Sequence, residues 1–469
     1  MNNWHLPTSR FFLNAAFILL ISFSAACKKG SSPEKAPEPY NGTVTYTIHK
    51  ADGTEFDTDE LTINTVGDSV KILVPATTDV TNLIPEIKAE GATINPNSGV
   101  KQDFSKPVTY TITKNGATKT YIFSVRFDKL KNVVYFGGDD KNFYALNAKN
   151  GKLFWKYTSK GLFSYSTPVL INGIIYTTNT DNNLYALDPA SGAEKWKFTT
   201  TSAIISSPVV ANGIVYFGSD AGYIYAVDAI SGTLKWKYGT DHFVESNPVV
   251  SNGVVYIGGT DGFLYAFDGT TGNIRWKYDT GNVILRSSAI VSNGVVFIGN
   301  REGNLFAVNA ATGQLKWKFS TNEISLELAK PVINNGVVYV ASWYSANHST
   351  EAGSLYAIKE SDGSQIWKGL NGQGFMSGPV YADGKLFINS NDGNIYVVDA
   401  ITGTPIWKKP ILSNGGIPTV SNGNVYTGGG GSHFFYTLNA NTGTEVWKFP
   451  LPNDLNVSKP LVIDSNGNY

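Results

Sequence analysis

The side chains best suited to covalent or metal chemistry are few in this sequence of 469 residues: one cysteine, Cys27, and five histidines, His5, His49, His242, His348 and His433. No two of the histidines have metal-ligand spacing on one element. A single cysteine excludes a disulfide framework, a cysteine-based zinc site and an iron–sulfur cluster. The glycine run Gly428–Gly431 lacks the Gly-Lys-Ser/Thr that makes a phosphate loop. In GFMSG (374–378) the serine is misplaced for a nucleophile elbow. The turns TDG (260–262) and NDG (391–393) offer calcium-like ligands singly, without the ligand string of an EF-hand loop. The reading is of a chain with no catalytic residue, no metal and no cofactor.

The remaining chemistry is recognition. A set of loops differs most between otherwise similar segments: KGLFSYST (160–167), TDHFVESN (240–247), GNVILRSS (281–288), NEISLELAK (322–330), NGQGFMSG (371–378) and NDLNVSK (453–459). They carry Phe243, Glu245, Leu285, Arg286, Glu327, Lys330 and Phe375. Aromatics mixed with charges on loops over a rigid scaffold suit the capture of a protein partner or ligand. The segment SWYSANHSTEAG (342–353) adds Trp343 and Tyr344, which lie outside the pattern of the other segments.

The scaffold that positions these loops is a repeat. Trp155, Trp196, Trp236, Trp276, Trp317, Trp367, Trp407 and Trp447 recur at gaps of 41, 40, 40, 41, 50, 40 and 40 residues. Each unit reads as four short strands, as in SSPVVANG (206–213), IVYFGSDAG (214–222), YIYAVDAISG (223–232) and TLKWKYGT (233–240). Four-stranded units at a period near 40 predict a β-propeller, here with eight blades. The first unit begins at NVVYFGG (132–138) without a leading strand, and KPLVIDSNG (459–467) after the last tryptophan supplies one. The terminal strand is therefore expected to close the ring and leave no free sheet edge. In YALDPASGAEKW (185–196) an Asp caps its own turn and a Gly permits positive φ. Each Trp then anchors one blade on the next, and the Lys that follows it points outward.

The N-terminal part has another character. Residues 1–26, with Arg10 before the apolar run FFLNAAFILLISFSAA, read as an export signal. Ser24, Ala25 and Ala26 lead into Cys27, which resembles a lipobox except for Ser24 in place of an aliphatic residue. That resemblance implies lipidation of Cys27, with residues 27–39 as a flexible tether. Residues 40–128 alternate with strand periodicity at 44–50, 69–75, 107–114 and 118–127, predicting a small antiparallel sandwich. The segment 79–125 resembles immunoglobulin-like modules of exported Bacteroidetes lipoproteins. Lys+Arg and Asp+Glu are 37 each, and a balance of zero argues against a phosphate-driven nucleic-acid binder.

The unit over 131–469 resembles the quinoprotein-type (PQQ-like) repeat, which implies an all-β chain: an eight-bladed propeller over 129–469 preceded by an immunoglobulin-like sandwich. A lipid-anchored propeller of this repeat resembles the BamB family of outer-membrane assembly lipoproteins. In that family an aliphatic–Arg pair in an inter-blade loop docks on the barrel subunit, and Leu285 and Arg286 occupy a similar place, with Glu327 in the next loop. The resemblance implies a non-catalytic, monomeric scaffold on the periplasmic side of the outer membrane, with a protein partner such as the barrel-assembly subunit. The sandwich, which that family lacks, favours an alternative: a carbohydrate- or peptide-binding lipoprotein. The remaining alternative is a quinone-dependent dehydrogenase, although the propeller has no cysteine for the adjacent-cysteine disulfide common in those enzymes.

Overall fold

The structure is a computed structural model. It describes residues 40–469 apart from 57–60, 76–77, 128–129, 323–324, 327–329, 344–352, 372–373, 376, 414–415, 429–430, 432 and 453–455. Cys27, Glu327 and Tyr344 lie outside the described residues, as do the expected export signal and tether. The fold is all-β, with one 3₁₀ turn at Val80–Asn82. No helix among the described residues is long and apolar enough to cross a membrane.

The N-terminal sandwich contains β1 (Val44–His49), β2 (Thr62–Val66), β3 (Ser69–Val74), β4 (Ile84–Ala89), β5 (Thr93–Asn95), β6 (Val108–Lys114) and β7 (Ala117–Phe127). β1 pairs with β4, and the other sheet runs β2-β3-β7-β6-β5. Alternation puts Val70, Ile72 and Val74 inward against Tyr110, Ile112 and Phe123, which form the core. One expectation is corrected: the sandwich is not wholly antiparallel, because β3 pairs with β7 in parallel, Ser69 opposite Ile122 and Val74 opposite Phe127. Periodicity alone passes over the weakly alternating β4 and β5, and these supply the long crossover that a parallel pair requires.

The remaining strands form eight four-stranded antiparallel sheets. The third blade is representative, with strands Val209–Ala211, Ile214–Ser219, Tyr223–Asp228 and Leu234–Gly239 from the axis outward. Its two middle strands are almost wholly buried, since each blade is covered on both faces by neighbours, and its outer strand alternates. Asn212 and Gly213, at φ 50° and 74°, make the tight turn between the first two strands. Two left-handed residues give a turn whose twist matches the strands, which is why Asn-Gly recurs there. At the ring's seam Leu461–Ile463 pairs with Val133–Gly137, Leu461 opposite Tyr135 and Ile463 opposite Val133.

The tryptophans join the blades. Trp236 Nε1 donates to the Gly269 carbonyl of the following blade at 2.8 Å, and Trp447 Nε1 closes the ring onto Ala148 O at 2.9 Å. Each ring also lies on the turn glycine of the next blade. A Cβ on Gly272 would sit 2.7 Å from Trp236 Cδ2, and Gly272 has φ 75°. The glycine is thus required twice, by its backbone and by the indole. In six blades the lysine after the Trp leans over an aromatic of its own blade: Lys237 Nζ is 4.5 Å from the Tyr223 ring centre and Lys277 Nζ 4.2 Å from that of Phe263.

Candidate partner-binding face

The inter-blade loops and the turns between second and third strands share one face of the propeller. Backbone bonds tie them: Val244 N to Ser219 O at 3.2 Å, and Thr260 N to Phe243 O at 2.9 Å. Four of the loops drive one apolar side chain inward against a glycine that ends a second strand. A Cβ on Gly137 would meet Phe163, on Gly218 Val244, on Gly258 Ile284 and on Gly299 Leu326, all within 2.6 Å. Phe375 belongs to this series and is 1% exposed, packed with Ala341 and Leu355. It is a core plug and not the contact residue expected of it. Its phase in the repeat, matching Val244 and Ile284, is the signal that identifies it.

The plugs fix the side chains that flank them. Arg286 Nε donates to Glu245 Oε2 of the neighbouring loop at 2.9 Å, and Glu245 is buried while the Arg286 side chain is 36% exposed. The Arg286 guanidinium also stacks over Tyr165, 4.6 Å from the ring centre. Tyr165 is in the loop leading into the second blade and Arg286 in the loop leading into the fifth, so the pair spans the channel mouth. Beyond Nε, the guanidinium makes no hydrogen bond among the described residues, leaving its terminal amino groups able to grip a carboxylate in bidentate fashion. Phe243, in the same loop as Glu245, is 54% exposed. It borders a depression of about 270 Å³ shared with Asp220, Thr240, His242 and Thr260. Leu285 is half-buried beside Arg286, as is Trp343, whose backbone N donates to Ser325 O at 3.1 Å. Lys330 is half-buried at the channel.

Sequence reasoning missed Asp220. Burial and then the Glu245 charge push its carboxyl up to about 6, with Arg286 partly offsetting them. Its Oδ1 is buried without a hydrogen-bond partner. The repeat does contain a signal. In four other blades an Asp four residues before a third-strand Tyr accepts that hydroxyl: Tyr185 to Asp181 at 2.7 Å, Tyr265 to Asp261 at 2.5 Å, Tyr396 to Asp392 at 2.6 Å, and Tyr144 to Asp140. In the third blade that position is Ala221, and Asp220 is one residue out of phase. Tyr225 therefore loses its carboxylate partner, and Asp220 instead lies within the field of Glu245 and Arg286.

The family model described as outer membrane protein assembly factor BamB matches residues 130–207, 185–354 and 351–462. The model described as SGBP, N-terminal, matches residues 54–125. Among solved structures the chain is similar to BamB from Moraxella catarrhalis, with TM-score 0.52 and 19% identity over 66% of this chain and 90% of that one. It is similar to the computationally designed protein Ika8, with TM-score 0.54 and 18% identity over 68% and 94% of the two chains. A quinohemoprotein alcohol dehydrogenase from Pseudomonas putida gives TM-score 0.51 and 17% identity over 66% and 68%. At such identities the likeness is one of fold. A curated relative, the 1-butanol dehydrogenase (cytochrome c) of Thauera butanivorans, is 29% identical over 124 residues, 23% of this chain and 17% of that protein's length. With most of its length matched by the first model, the chain belongs to the family of the outer membrane assembly factor BamB, and carries an SGBP-type N-terminal domain.

Proposed function

We propose that this member of the BamB family is a non-catalytic scaffold of the cell envelope that captures a protein partner on the face carrying Tyr165, Phe243, Glu245, Leu285 and Arg286. The observation that carries the reading is Arg286, held by Glu245 at 2.9 Å and by the Tyr165 ring, with its outer edge unengaged. A guanidinium fixed this way has lost its rotamer freedom before binding, which lowers the entropic cost of association. The aromatic and aliphatic neighbours supply the apolar anchors of an interaction hot spot. In the full reading Cys27 is lipidated, residues 28–39 are the tether, the chain is an outer-membrane lipoprotein facing the periplasm as a monomer, and a barrel-assembly subunit is the partner. Arg286→Glu is expected to reduce partner cross-linking in native envelopes at least tenfold while the protein stays folded. Normal cross-linking by that variant overturns the site.

The SGBP-type match over residues 54–125 supports a second reading, a surface glycan-binding lipoprotein. There Phe243 would stack on a sugar ring, and retention on immobilised glycans, abolished by Phe243→Ala and indifferent to Arg286→Glu, separates it from the first. A dehydrogenase role has narrower support, since the alignment to the curated relative covers 17% of that enzyme.

A further inference from the structure

The sandwich and the first blade face each other across a cavity of about 550 Å³, within the roughly 300–1,000 Å³ typical of small-molecule sites. Its sandwich wall carries Asp52 and Asp79, and its propeller wall Asn147, Asn150, Lys152 and Phe154. The propeller wall departs from the repeat. In the second, third and fourth blades the residue before the docking Trp is a cation paired with the Asp of the preceding turn. Lys195 Nζ lies 2.9 Å from Asp188 Oδ2, Lys235 Nζ 3.0 Å from Asp228 Oδ2 and Arg275 Nη2 2.7 Å from Asp268 Oδ2. In the first blade the same two positions are Phe154 and Asn147, and Phe154 is the one aromatic at its position in the eight units. The blade that faces the sandwich has exchanged an ion pair for a ring and an amide.

Both walls are held by their own turns and keep hydrogen-bonding atoms in reserve. Asn147 Oδ1 accepts from Lys149 N at 2.8 Å, and Asn150 Oδ1 from Lys152 N at 3.0 Å. Neither amide nitrogen has a partner among the described residues, although Asn147 is only 5% exposed. A buried donor left unpaired is costly, and the cost is relieved when an acceptor enters. On the opposite wall, Lys50 N donates to Thr54 O at 2.9 Å and closes a turn. Within it Asp52 Oδ1 accepts from Thr54 N at 3.0 Å and from Thr54 Oγ1 at 2.6 Å. Asp52 Oδ2 has no hydrogen-bond partner among the described residues. Asp79, by contrast, spends both oxygens on Thr81 and Asn82. The Thr54 bonds, with a smaller contribution from Lys152, hold the Asp52 carboxyl below the usual carboxylate range, so it is an acceptor at neutral pH. Amide donors, a carboxylate acceptor, an ammonium and a half-buried ring thus line one space. A simple anion would meet Asp52 there, and a simple cation Lys152. A hydroxyl both donates and accepts, so a polyhydroxylated ligand can satisfy both walls, and a face of C–H bonds suits the ring.

We propose that the cavity between the sandwich and the first blade binds a saccharide, with its C–H face on Phe154 and its hydroxyls on Asn147, Asn150, Asp52 and Lys152. The site shares no residue with the loop face and rests on neither reading of it. The test is binding of the full chain to an array of immobilised oligosaccharides, neutral and uronic-acid-containing, followed by calorimetric titration with the best of them in solution. Saturable one-to-one binding is expected. Phe154→Lys combined with Asn147→Asp rebuilds the ion pair of the neighbouring blades. That double variant is expected to keep the parent's melting temperature and to lose at least tenfold in affinity. Asp52→Asn keeps the turn's acceptor and replaces Oδ2 by a donor, and is expected to weaken binding at least fivefold. Phe243→Ala is expected to leave it unchanged. Binding that is lost in Phe243→Ala and kept in the double variant overturns this site and leaves the glycan reading of the loop face standing. Binding to no saccharide of the array overturns the proposal outright, and leaves the scaffold reading to be decided by the Arg286→Glu cross-linking.

Discussion

Replacing Asp220 with Asn is expected to stabilise the propeller above pH 6 and to leave it unchanged below pH 4. Asp220 is half-buried, its Oδ1 has no hydrogen-bond partner, and its carboxyl titrates at about 6 instead of 3.8. Burial is the main cause and the Glu245 charge the second. The native state therefore holds a proton that the unfolded chain releases between about pH 4 and 6. Stability falls as pH rises through that window, and the penalty is complete above it. A displacement of about two pKa units corresponds to about 3 kcal/mol, and partial solvent access reduces the expected gain to roughly 1–2 kcal/mol. Tryptophan fluorescence during urea unfolding is a clean readout, because nine of the ten tryptophans lie in the propeller, the tenth is Trp4, and the sandwich has none. The asparagine variant is expected to show a higher midpoint at pH 8 with an unchanged slope, and coincident curves at pH 3.5. A variant no more stable at pH 8, or equally stabilised at both values, would refute the reasoning that a strained carboxylate sits behind Arg286.

Gly272→Ala combines a left-handed backbone at φ 75° with a Cβ 2.7 Å from Trp236. The two effects together are expected to cost about 2–4 kcal/mol in urea unfolding, while Gly253→Ala, at φ 75° with nothing within 4 Å, shows the backbone part alone, about 1 kcal/mol. Trp196 is the docking indole whose Nε1 is buried without a partner, whereas Trp236 Nε1 bonds Gly269 O. Trp196→Phe is accordingly expected to be milder than Trp236→Phe by about 1 kcal/mol, measured the same way.

The propeller was legible because its energetics are written blade after blade. A Gly that must lie under an indole recurs in all eight, a Trp that finds a carbonyl in seven and an Asn-Gly that turns two strands in six, each fixed by local geometry, so their recurrence reveals the blade. The sandwich has no repetition to read. Its parallel pair joins Ser69–Val74 to Ala117–Phe127, and the choice of partner for a strand is settled by what else covers its face. Phe375 misled for a related reason. Residue type and a loop position suggest a contact, but whether an aromatic in a loop points outward depends on the small residue beneath it, here Ala341, and that residue lies in a different segment of the chain.

The candidate site was half legible, and the division follows from the repeat itself. Arg286 and Glu245 stood out as charges in loops that differ most between the repeats. Their pairing with each other and with Tyr165 joins loops that are distant in sequence and meet only when the ring closes. Positions that obey the repeat are occupied by the demands of packing: Asp181, Asp261 and Asp392 each hold a tyrosine of their own blade. Positions that depart from it are released from that duty. Asp220 has slipped out of phase, Arg286 stands among serines and aliphatics, and Lys330 and Lys459 stand where four other blades have a small polar residue. The pair that does form, Glu245 with Arg286, joins two inter-blade loops and not two residues of one blade. A scaffold selected only to close would have no use for charges that lower its stability at its own axis. Their concentration there is the physical ground for placing partner capture at the mouth and not on the lysine-studded outer strands, where most blades present nearly the same surface.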